Sequence, residues 1–307
     1  MLSPIIRALS NLMGNSGHGC NKTRSGLAGV LFISLLCLFL SGLFASDSVQ
    51  MKAADYPLGY IPLDKATFRK YYKDFPYEMT DALPANYDAR TLGIVSIAKD
   101  QGLCGSCWAF ACVGAMESHI KMTGPTSPLY DLSEQQLISC NTYDFGCHGG
   151  NSSAIHFWAN KGPNLESDYP YSSGDGSVPA CIPDYVQIGY CSTNYYTTSG
   201  TENFKASLFD KGPGPWSFAV YGDFQNWWDS AAAGGVYTNA SYDFRGGHEV
   251  LLIGWDDMKG AFLCKNSWGA TSGPNGDGTF WIAYTGHAND LHFGMSNFDI
   301  ILKYVII

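Results

Sequence analysis

The alternation of apolar and polar positions changes character along the chain. From Ser106 to Lys121, small and apolar side chains recur at Ala109, Phe110, Val113, Met116 and Ile120, the spacing of one helix, and Gly124-Pro125 stops it. Leu132 to Gln136 starts a second helix, with Ser133 and Gln136 in capping-box spacing. A short third helix is predicted over Ser152 to Asn160, closed by Gly162-Pro163, and a further helical stretch over Glu202 to Asp210. After the breaker-rich KGPGP, the runs WSFAVY, HEVLLIGW, AFLCKN, TFWIAY and FDIILKYVI are short, β-prone and bounded by Gly, Asp or Asn. A mainly helical half thus precedes a mainly β half. Ser46 to about Leu83 shows no clear periodicity and reads as a segment distinct from the core.

One apolar run fits neither period. Residues 27–45, LAGVLFISLLCLFLSGLFA, follow Arg7, Lys22 and Arg24 and end before polar SDSVQ, the layout of an export signal. At about twenty residues the run serves equally as a cleaved signal or as an uncleaved membrane anchor, and both place the remainder extracytoplasmically. Ten cysteines in an exported chain imply disulfides. Beyond the leader they are Cys104, Cys107, Cys112, Cys140, Cys147, Cys181, Cys191 and Cys264. If one is a working thiol, at least one more remains unpaired.

The chain has 307 residues, a net charge of −9 and 15% charged residues, below the roughly 25% of an average soluble domain. No segment clusters the Lys and Arg that phosphate neutralisation needs, so a nucleic-acid partner is excluded. His119, His148 and His156 have no metal-binding spacing, and neither a metal nor a cofactor is implied. Asn21, Asn151 and Asn239 begin N-x-S/T triplets, which are frequent by chance.

The stretch QGLCGSCWAF, residues 101–110, carries the chemistry. A thiol attacks only as thiolate, and a helix N-terminus favours that negative charge. Cys107 stands at such a position. Gly102, Gly105 and Ser106 let backbone N–H groups approach a reacting carbonyl, and Gln101 adds a side-chain donor for an oxyanion. The thiolate also needs an imidazole and a group to orient it. His248, opening one β run, and Asn266, ending the next, supply both if their strands are adjacent.

These residues resemble the papain-like, cathepsin-type cysteine peptidases. The matching motifs are QGLCGSCWAF, LSEQQLISC at 132–140, GCHGG at 146–150, YPY at 169–171, His248 after a glycine, and NSWG at 266–269, across residues 84–307. His248 and Asn266 also follow Cys107 by about 140 and 160 residues, near the family's spacing. The resemblance implies an α+β, two-lobed fold, a helical lobe then an antiparallel β lobe, with the active-site cleft between them. It implies an endopeptidase acting on proteins or peptides through a thioester on Cys107, with His248 as acid/base, Asn266 orienting the imidazole, and Gln101 with the Cys107 N–H as oxyanion hole. Gly105, Gly149 and Gly150 would bind an extended substrate by main-chain pairing, with Asn151 beside them, and Trp268 would shield the His248–Asn266 hydrogen bond. The family's disulfides map to Cys104–Cys147 and Cys140–Cys181.

Some positions depart from the family. No third disulfide has its usual partner before His248, which leaves Cys191 and Cys264 open, and Cys112 reads as an inert helix-core thiol. Glu249 replaces a small residue lining the pocket for the second substrate residue before the cut, which would favour a basic or polar side chain there. Residues 46–83 are short for a prosegment but are expected to block the cleft, with processing near Leu83-Pro84. Nothing after GCHGG resembles the paired-histidine occluding loop of the exopeptidases. Trp227-Trp228 are assigned to core or loop packing. The competing readings are a catalytically impaired relative that binds peptides, a membrane-anchored structural protein, and a cysteine amidase acting on cell-wall peptides.

Overall fold

The computed structural model describes residues 51–74, 82–124, 126–183 and 187–303; the apolar run 27–45, Asn21, Cys20 and Cys37 lie outside the described residues. Its central helix is α2, Cys107–Met122; α1 is Lys65–Tyr71 and α3 Glu134–Cys140, followed by a 3-10 stretch at Ser152–Ala159. Every α2 residue from Cys107 to Ile120 is buried, so this helix needs no polar face and its periodicity is correspondingly weak. Ser133 caps α3 by accepting a hydrogen bond from the Gln136 amide at 3.1 Å. The reciprocal half of a capping box is absent, because the Gln136 side chain instead donates to Gly162 O and accepts from Trp158 Nε1.

The strands are β1 Asn86–Asp88, β2 Tyr190–Thr198, β3 Gly214–Tyr221, β4 Val236–Tyr237, β5 Phe244–Asp256, β6 Ala261–Lys265, β7 Thr279–Ala283 and β8 Gly294–Leu302. They form one sheet in the order β2-β8-β3-β5-β6-β7-β4, with β1 also pairing β5. Every pairing is antiparallel except β4 with β7. The fold is α+β, as the pattern implies. Two further helices, α4 Thr201–Lys211 and α5 Gly222–Ser230, flank the strands.

Strand β5 explains why HEVLLIGW reads as a continuous apolar run. Val250 and Leu252 join a cluster with Trp216, Phe218, Phe224 and Trp268, while Leu251 and Ile253 join a second cluster with Trp108, Val113 and Met116 of α2. Successive side chains on a strand point to opposite faces, and here both faces are covered. The sheet therefore fixes the thiol-bearing helix against the strands that carry His248 and Asn266. Trp227 and Trp228 lie on α5 and pack against Phe280, with Trp228 also on Trp268.

Two expectations need correction. Ala53 and Tyr56 belong to the core cluster of the β half, so the described residues around them pack into the core rather than standing apart from it. It also contains α1, which no apolar stripe announces; Asp64 starts it by accepting from the amides of Ala66 and Thr67. Second, β2 was not among the predicted strands. Its Ser, Thr and Asn content masks the alternation, and its register with β8 shifts between Thr193 and Tyr196, where Asn194 takes a φ of 48°.

Candidate active site

Cys107 is the first residue of α2 and is fully buried. His248 is also fully buried on β5, and its Nε2 lies 2.7 Å from Asn266 Oδ1. Because Oδ1 also accepts the Ser267 amide at 2.8 Å, it is the acceptor in both bonds, and Nε2 carries the proton. Nδ1 is then a free lone pair, and it has no hydrogen-bond partner. Trp268 lies 4.9 Å from the imidazole, ring centre to ring centre, and closes this pair off from water. The peptide N–H groups of Glu249, Gly59 and Trp108 approach the Cys107 sulfur, so the thiol sits beside the residue that follows His248.

What covers the thiol is a strap from the chain's own N-terminal side, residues 56–61. Tyr60 N donates to Gly247 O at 3.0 Å on one wall. On the opposite wall, Ile61 N donates to Gly150 O at 2.8 Å and Gly150 N to Gly59 O at 2.9 Å. Asn151 Nδ2 donates to Ile61 O. Gln101 Nε2 donates to Pro57 O at 2.9 Å and to Cys104 O at 2.8 Å, so its donor is already taken. At the near end Tyr56 stacks on Trp268 at 5.3 Å and donates to Asp100.

Gly59 is required by the closeness of this passage. A Cβ there would fall 1.8 Å from Gly105 O, against backbone that cannot swing aside. Gly150 is constrained from behind, where a Cβ would sit 2.7 Å from the Trp108 ring. Each residue singled out in the sequence for substrate contact, Gly105, Gly149, Gly150, Asn151, Glu249 and Trp268, borders this strap or the side chains it inserts.

Under the strap the electrostatics differ from what a helix N-terminus alone predicts. Burial pushes the Cys107 thiol up to about 12, outweighing the N–H groups aimed at it. Burial likewise pushes the His248 imidazole down to about 4, against the opposing pull of Asn266. In this covered form both shifts favour a neutral thiol and a neutral imidazole. Glu249 is buried, its carboxyl is pushed well up by desolvation, and its Oε2 has no donor. Tyr60 reaches close to it, with its phenol beside Ser217, and burial raises that phenol to about 12.

Disulfides join Cys104 to Cys147 and Cys140 to Cys181; Cys107, Cys112, Cys191 and Cys264 are free and buried. The first bond ties the loop before the thiol to the wall that holds Gly149 and Gly150. The carboxamides of Asn151 and Asn239 are engaged in hydrogen bonds inside the fold. Sequence reasoning missed the strap's path, Asp100 and Ser217. The available signal was Pro57-Leu58-Gly59 between two tyrosines: the residue before a proline tends to extended backbone, and the glycine marks a close approach.

Known proteins resemble this chain in sequence and in fold. A family model described as papain family cysteine protease matches residues 83–294. The chain is 36% identical over 204 residues to a cysteine proteinase of Trypanosoma brucei brucei, covering 64% of this chain and 43% of that protein. It is 37% identical over 214 residues to a senescence-specific cysteine protease of Oryza sativa subsp. indica, covering 66% and 59%. The chain thus spans about half the length of these curated relatives. Its fold is similar to a procathepsin B from Trypanosoma congolense, with a TM-score of 0.68 at 21% identity, covering 88% of this chain and 98% of that one.

Proposed function

The chain belongs to the papain family of cysteine proteases, and from that premise we propose that it is a cysteine endopeptidase held latent by residues 56–61. The observation that carries the reading is the His248 Nε2 to Asn266 Oδ1 bond, which leaves Nδ1 without a hydrogen-bond partner on the residue before Glu249, whose peptide N–H approaches the Cys107 sulfur. Once the strap leaves, water reaches the site, the N–H groups at the head of α2 favour the thiolate, and the thiol proton passes to Nδ1. Sγ then attacks the substrate carbonyl carbon. The displaced electron pair moves onto oxygen, which accepts from Gln101 Nε2, freed of Pro57, and from the Cys107 N–H. Removing one such donor typically costs about 10²- to 10³-fold in rate.

Collapse of the tetrahedral intermediate breaks the peptide C–N bond, and the amine takes the proton from Nδ1. Water, deprotonated by the same nitrogen, cleaves the Cys107 thioester and restores the thiol. Nothing in the site favours a peptide-binding or amidase role over this chemistry. Casein hydrolysis by the processed enzyme should fall below detection in Cys107→Ala; retained hydrolysis would remove Cys107 from the mechanism.

Glu249 lines the space that Tyr60 fills, and its unmatched oxygen favours a substrate side chain bearing a donor, basic or polar. Phe-Arg and Arg-Arg dipeptide reporters compared on the wild type and Glu249→Ala test this. Loss of the Arg-Arg preference is expected, and unchanged selectivity refutes it. Maturation would follow from cleavage near Leu83-Pro84; Trp255 Nε1 donating to Pro84 O at 3.0 Å holds the chain on the mature side of that bond. The two disulfides fit an oxidising, extracytoplasmic compartment. Residues 27–45 would deliver or anchor the chain there, which intact mass of secreted protein would resolve.

A further inference from the structure

Bordering the same small cavity as the thiol lies a buried charged cluster that the mechanism above does not use. Lys265 is the last residue of β6 and the neighbour of Asn266. Its Nζ donates to Ser96 Oγ at 2.9 Å and to Ser96 O at 3.2 Å. Ser96 Oγ in turn donates to Glu117 Oε2, and Glu117 Oε1 accepts the Leu132 amide at 2.9 Å. Glu117 is on α2, the helix headed by Cys107, and it shares one helix face with Cys107, Ala111 and Gly114, all of which border the same small cavity. Lys99 adds a second cation, paired with Glu134 at 2.9 Å and Asp131 at 2.7 Å.

Gly114 supports a directed contact. Glycine in a helix interior costs about 1 kcal/mol relative to alanine. Here a Cβ would lie 3.2 Å from Lys265 Nζ and 3.1 Å from Leu251 Cδ2, so the helix gives up its side chain where the lysine crosses it. Burial also weighs against the Lys265 ammonium, with Glu117 and Glu134 opposing that. A buried ion pair is weak evidence for stability, since apolar replacements often do as well. What this one does provide is a fixed distance between the end of β6 and the face of α2.

We propose that Lys265, acting through Ser96 and Glu117, is a positioning residue that sets Asn266, and hence the His248 imidazole, in register with the thiol at the head of α2. Asn266 has few other restraints on its side chain: its Nδ2 has no partner, and Oδ1 is held only by His248 Nε2 and the Ser267 amide. A shift of the 265–266 backbone is therefore passed directly to the imidazole. Small misplacements of a reacting pair can cost about 100-fold in rate. The catalytic consequence rests on the peptidase reading; the geometric one does not.

Two readouts separate them. In the full chain, the proton on His248 Nε2, assigned by its loss in Asn266→Ala, should give a downfield resonance that shifts or broadens in Lys265→Met and in the milder Ser96→Ala, and stays put in the surface control Lys259→Met. In the processed enzyme, Lys265→Met should lower kcat about tenfold and Ser96→Ala about threefold, with KM within twofold. In an Asn266→Ala background neither should lower kcat further, because the positioning acts through Asn266. An unchanged His248 resonance in both variants overturns the proposal, as does a kcat loss that simply adds to that of Asn266→Ala. If the resonance moves while the wild type cleaves nothing, the brace stands and the peptidase reading fails.

Discussion

The two walls of the cleft are built by different physics. The wall that carries Gly149 and Gly150 is made of loops after short helices, and both disulfides lie in that half. The wall that carries Gly247 and His248 is a strand of the central sheet, backed by Phe218, Phe224, Trp228 and Trp268, with no disulfide among its described residues. Loops cannot bury enough apolar surface to hold their own geometry, so cross-links substitute; a sheet covered on both faces needs none. The strap touches both, pairing parallel with Gly150 and antiparallel with Gly247. The surroundings of Cys107 are therefore stapled and those of His248 packed, and the strap reports on both at once.

The largest expected effect breaks the strap at both walls. Gly59→Ala places a Cβ 1.8 Å from Gly105 O, so residues 57–61 must lift. The unprocessed chain should gain peptidase activity on the order of 100-fold, the scale of losing the two or three hydrogen bonds and the burial this segment makes. Unprocessed Gly59→Ala that stays as inactive as the wild type would show that the segment does not govern access.

A smaller effect separates the walls. The disulfides close segments of 43 and 41 residues, a length at which loop-closure entropy is worth about 4 kcal/mol each, less where the segments overlap as these do. Paired Cys140→Ala and Cys181→Ala should cost roughly 2–4 kcal/mol in denaturant unfolding. Limited proteolysis should then open the 140–181 region first and leave β5 to β7 protected. Equal loosening of both halves would erase the contrast.

The sequence made the β half's strands readable because β5 and β6 are buried on both faces and so carry unbroken apolar runs. Strand β2 escaped because its buried positions include Ser192, Thr197 and Thr198, whose hydroxyls look like surface. Helix α2 was readable from the spacing of Ala109, Phe110, Val113, Met116 and Ile120 and from its Gly124-Pro125 stop, despite having no polar face. Cys107, His248 and Asn266 were marked by residue type in motif context. A blocking role for residues 46–83 is expected from the sequence, but the strap's path was not legible, because it depends on backbone groups of Gly59 and Tyr60 and on closeness to Gly105, for which Pro57-Leu58-Gly59 is only a faint signal. Nor does the local sequence show that the covered thiol is pushed up. The helix N-terminus is local, whereas the covering that pushes the thiol up to about 12 comes from residues nearly fifty positions away.

The central claim is that Cys107 is the reacting thiol and that residues 56–61 decide when it reacts. The direct measurement is the rate of Cys107 alkylation by iodoacetamide as a function of pH, read by intact and peptide mass, for the unprocessed and processed forms. A thiol pushed up to about 12 holds almost no thiolate at neutral pH, so the unprocessed form should label negligibly near pH 7 and faster only toward alkaline pH. The processed form should label rapidly at Cys107 alone, with a rate that has already levelled off by neutral pH, where the imidazole holds the thiol's proton. Equal labelling rates for the two forms, or labelling that falls on Cys112 or Cys264 instead of Cys107, would contradict the account.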